Sequence, residues 1–128
     1  MVIEVKWLDE EKTVIFQRVT NPFSWDEFYE YDKEIQRMMR SVSHPITLLV
    51  DLQDFSMRDV PKGALTHIRA TMPHFPNHVI RIIAVSNSIF VLSLARIIQR
   101  ISATTQQIKI YAVRTMEEAD EILNLPES

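Results

Sequence analysis

The chain opens with two stretches in which apolar and polar side chains alternate, Val2–Leu8 and Thr13–Val19, parted by Asp9-Glu10-Glu11-Lys12. Alternation of period two, rich in β-branched and aromatic residues, predicts two strands joined by a charged turn. From Ser24 the period changes. Ser24 and Glu27 stand at capping-box spacing, so each can satisfy a free backbone N–H at the start of a helix. Trp25, Phe28, Tyr29, Tyr31, Ile35, Met38 and Met39 then share one half of a helical wheel. Glu27, Glu30, Lys33, Glu34, Arg37 and Arg40 take the other half, which predicts a helix packed on a sheet. His44-Pro45 closes it, because the residue before proline avoids helical geometry.

Three mainly apolar runs follow: Ile46–Val50 ending in Asp51, then Val79–Val85, then Ile108–Val113. Runs of this kind suit strands buried on both faces, as in parallel sheets. Between them lie helical patterns over Ala64–Met72, opened near Pro61, and over Ile89–Ile101, capped from Ser86-Asn87-Ser88. Thr115 and Glu118 repeat the capping-box spacing and open a last helix through Leu123. Strand and helix alternating at this spacing imply right-handed crossovers and parallel neighbours, while the opening hairpin must be antiparallel. The expected fold is one α/β domain over residues 1–128: a mixed, mainly parallel five-stranded sheet with an N-terminal antiparallel hairpin and four helices.

The helix Ile89–Ile101 is unusually apolar. Ile97, Phe90, Ile101, Leu94, Ile98, Val91 and Ala95 span one wide arc, expected to face the core, with Ser93, Arg96, Gln99 and Arg100 opposite. Ile89 and Leu92 fall on that polar side. Two readings follow: cover by neighbouring loops, or a contact patch joined by Phe55 and Met57.

Composition narrows the function. A chain of 128 residues suits a single core. A net charge of −3 without clustered Lys and Arg argues against nucleic acid as the partner. There is no cysteine, which excludes disulfides and thiolate sites and suits a reducing compartment. Gly63 is the only glycine, too few for a phosphate-cradling loop or dinucleotide fingerprint, so no cofactor is expected. Met1–Trp7 lacks the unbroken apolar run of a signal peptide, and no stretch reaches the roughly 18 apolar residues of a membrane span. The expected compartment is the cytoplasm.

Candidate chemistry is sparse. Asp51 and Asp54 follow a buried strand, where carboxylates can act as acid and base but more often shape a turn. His74 and His78 are four apart, yet Pro73 and Pro76 argue against the single helix face a metal site would use, so no metal is expected. Ser86, with His67 and Asp51, lacks the flanking glycines of a nucleophile elbow, since Ala84 and Ser88 hold those places. Ser86 or Asn87 reads better as a cap. No catalytic residue is expected.

The order of elements, together with Leu49-Val50-Asp51-Leu52 followed by Asp59 and Gly63, resembles the STAS domain family of sulfate transporters and anti-sigma-factor antagonists. It is most similar to the STAS-like branch grouped with SEC14-type lipid-binding domains. Ala84-Val85-Ser86-Asn87 and Val113-Arg114-Thr115-Met116-Glu117-Glu118-Ala119 also look familial. The resemblance spans nearly the whole chain. It implies a regulatory, protein-docking module of a bacterial-type cytoplasm rather than an enzyme. Where the family carries its phosphorylated serine, however, Val60, Pro61 and Lys62 stand between Asp59 and Gly63. A switch that adds phosphate charge at a helix start has no hydroxyl there. Ser56 and Ser86 are the nearest alternatives, and neither matches the motif.

The expected docking surface is the carboxyl edge of the sheet: Phe55, Ser56, Met57, Arg58 and Asp59, the Pro61-Lys62-Gly63 turn, and Ser86, Asn87, Ile89 and Leu92. Homodimerisation through the Ile89 helix is an allied expectation. The alternative is a carrier of a small apolar molecule or lipid, implied by the SEC14-type kinship.

Overall fold

The computed structural model describes residues 3–20, 24–54, 63, 66, 67, 70, 74–105 and 108–124, the side chains of 101–105 excepted. Five strands form one sheet: β1 (Ile3–Trp7), β2 (Val14–Val19), β3 (Ile46–Asp51), β4 (Val79–Val85) and β5 (Lys109–Val113). Their order in space is their order in the chain. β1 runs antiparallel to β2, and every later pair is parallel. The expected mixed sheet with its N-terminal hairpin is therefore present. Three helices lie among the described residues rather than four: α1 (Trp25–Arg40), α2 (Ile89–Thr105) and α3 (Met116–Leu123). The helix expected at Ala64–Met72 falls mostly outside those residues.

The hairpin turn is built by one carboxylate. Asp9 accepts from the backbone N–H of Thr13 (2.9 Å) and Val14 (3.1 Å), and from the Thr13 hydroxyl. Lys12 sits in the left-handed region (φ 57°) to complete the reversal. α1 starts as its sequence dictates: Glu27 N–H donates to Ser24 Oγ (3.2 Å) and Ser24 N–H to Glu27 Oε1 (3.3 Å). Its far end is held by the chain entering β4, where His78 Nε2–H donates to the Met39 carbonyl (2.7 Å). Helix ends leave such carbonyls without internal partners.

Side chains of alternate parity make the two faces of the sheet. On one, Ile15, Leu48 and Ile110 pack with Ile35, Met38 and Met39 of α1 and with Ala95 and Ile98 of α2. On the other, Phe16, Leu49, Ile83, Val85 and Val113 pack with Ala119 of α3. Both faces of β3 are thus covered, as its mainly apolar run requires. Among the described residues, no helix is long and apolar enough to cross a membrane.

Candidate functional site

The carboxyl edge of the parallel strands begins with Asp51. It is buried, accepting from Gln53 N–H (3.0 Å) at Oδ1 and pairing with Arg18 Nε (3.3 Å) at Oδ2. The first bond is an Asx turn, so this carboxylate reverses the chain and balances a cation. At the next strand end, Ser86 N–H continues the sheet by donating to the Val113 carbonyl (2.9 Å), and its Oγ accepts from Ser88 N–H (3.0 Å). Ser86 therefore lies beneath the surface rather than on it. The helix cap is the third residue of the expected trio: Ser88 Oγ accepts from Val91 N–H (3.4 Å), while Asn87 is exposed.

α2 then runs off this edge with both apolar and polar side chains on its outer face. Ile89 is 75% exposed, Phe90 54% and Ile97 45%. Exposed Ser93, Arg96 and Arg100 share that face, and Leu92 is half-buried. Ile89 stands where expected. Phe90 and Ile97 do not, since both belonged to the arc expected to face inward. The buried line is narrower, formed by Val91, Ala95 and Ile98 with Leu94 against it. A helix resting on a sheet buries one stripe, and Phe90 and Ile97 occupy the far margin of the apolar arc, where the wheel turns toward solvent. Phe55, Ser56, Met57, Arg58, Asp59, Pro61 and Lys62 lie outside the described residues. Gly63 is exposed at φ 85°, a conformation that side chains oppose.

A second constellation joins α1 with Gly63, His67 and His74. Tyr29 Oη and His67 Nδ1 are 2.8 Å apart, and the Trp25 ring stacks on His67 with centroids 4.3 Å apart. The Gly63 carbonyl accepts from His67 N–H (3.0 Å), and a Cβ on Gly63 would meet the His67 ring at 3.4 Å. Farther along the same face of α1 come Asp32 and Gln36. Burial pushes the Asp32 carboxyl up to about 6, against the opposing pull of His74 and the neighbouring Gln36 amide. Both polar atoms of the Gln36 side chain are buried without a well-formed hydrogen bond. The sequence carries the signal for this pair. On the wheel, Asp32 and Gln36 fall inside the apolar arc bounded by Phe28, Tyr29 and Met39, an interruption that marks polar groups at a packed face.

The imagined nucleophilic triad is engaged elsewhere: Ser86 with Ser88, His67 with Tyr29, Asp51 with Arg18 and Gln53. His44 and His78 each donate from Nε2 to a main-chain carbonyl, those of Lys12 and Met39. No cluster of three or more metal-ligating side chains forms among the described residues. No family model matches the chain, and neither a curated protein nor a solved structure does.

Proposed function

We propose that the chain is a STAS-like, non-catalytic interaction domain of the cytoplasm that docks a protein partner through the outer face of α2 and works without the family phosphoswitch. The observation that carries this reading is the row of Ile89, Phe90 and Ile97, three large apolar side chains exposed together on one helix. Isolated exposed apolar residues are ordinary, whereas three large ones on one helix with arginines beside them have the make-up of an interface with polar groups at hand. The hydrogen bonds of Asp51, Ser86 and His67 to partners other than one another support the non-catalytic part.

The test is an affinity pull-down from native cells with the wild type and an Ile89→Asp, Ile97→Asp double variant. A defined partner retained by the first and lost by the second is the expected outcome. Identical capture by both overturns the assignment of this surface.

A second reading, carriage of a small molecule, has one observation in its favour: the buried amide of Gln36 beside the half-buried Asp32, which together offer a ligand a donor and acceptors. Native mass spectrometry decides it. An added mass that disappears in Gln36→Leu supports the carrier, and a bare chain mass overturns it.

A further inference from the structure

We draw no further inference here: the strongest candidate, the outer face of α2 with its exposed Ile89, Phe90 and Ile97, carries nothing beyond the docking role proposed above, because nothing in the structure shows what covers it.

Discussion

Two aspartates show how opposite environments give opposite responses to pH. Asp9 is partly desolvated, which raises its carboxyl, but the Thr13 hydroxyl and the amides of Val14 and Thr13 more than offset this and hold it below the usual range. A depressed folded-state value means stability that is present above the unfolded value near 4 and lost as pH falls through the folded one. Asp9→Ala is expected to lower stability at pH 7 by about 1 kcal/mol, by releasing three donors of the hairpin turn, with the gap narrowing in acid denaturation below ~pH 4. Asp32 behaves in reverse. Burial raises its carboxyl to about 6, so the folded state holds its proton more tightly than the unfolded one and loses stability as pH rises from about 4 through 6. Asp32→Asn is expected to raise the melting free energy by ~1 kcal/mol at pH 7, after allowance for solvent screening, and to be nearly neutral at pH 4. Urea melts at the two pH values separate these cases.

The elements are tied together by a buried cation. Arg81 of β4 donates from Nε to Thr47 Oγ1 on β3 (3.1 Å) and from Nη1 to the Ile122 carbonyl near the end of α3 (2.7 Å). A helix C-terminus presents unsatisfied carbonyls and partial negative charge, which favours a guanidinium there. Arg81→Ala is expected to cost about 2 kcal/mol in chemical denaturation, because the buried Thr47 hydroxyl and the Ile122 carbonyl both lose a charged donor. Arg81→Lys should recover only part of this, since one ammonium cannot reproduce the fork. Apart from the 64–72 segment, the elements were legible from periodicity, and the Ser24 and Thr115 caps stand where their spacing placed them. The outward turn of Phe90 and Ile97 was not legible. A wheel orders residues around an axis but does not say how wide a stripe the sheet will cover, and the seven-residue apolar arc hid that choice. Ser88 took the cap because Ser86 was needed to shape the preceding turn. Local sequence offers three short polar residues there, and tertiary position selects among them.

For the whole molecule, stability and association are expected to separate cleanly. Ile89, Phe90 and Ile97 face solvent, so polar substitution should change folding stability by no more than ~0.5 kcal/mol while altering what the protein adheres to. Thermal melts run beside sedimentation at matched concentration check this. Alternation of strands and helices revealed the parallel character of the sheet, but strand order was not readable, because it depends on which neighbour each crossover reaches. The order observed, each strand beside its predecessor, has a consequence for how the protein is made. Every newly synthesised strand finds its hydrogen-bonding neighbour already out of the ribosome, so the sheet can be laid down in sequence like courses of brick. Nothing synthesised later must be threaded between earlier strands, and at each stage one raw edge awaits the next addition.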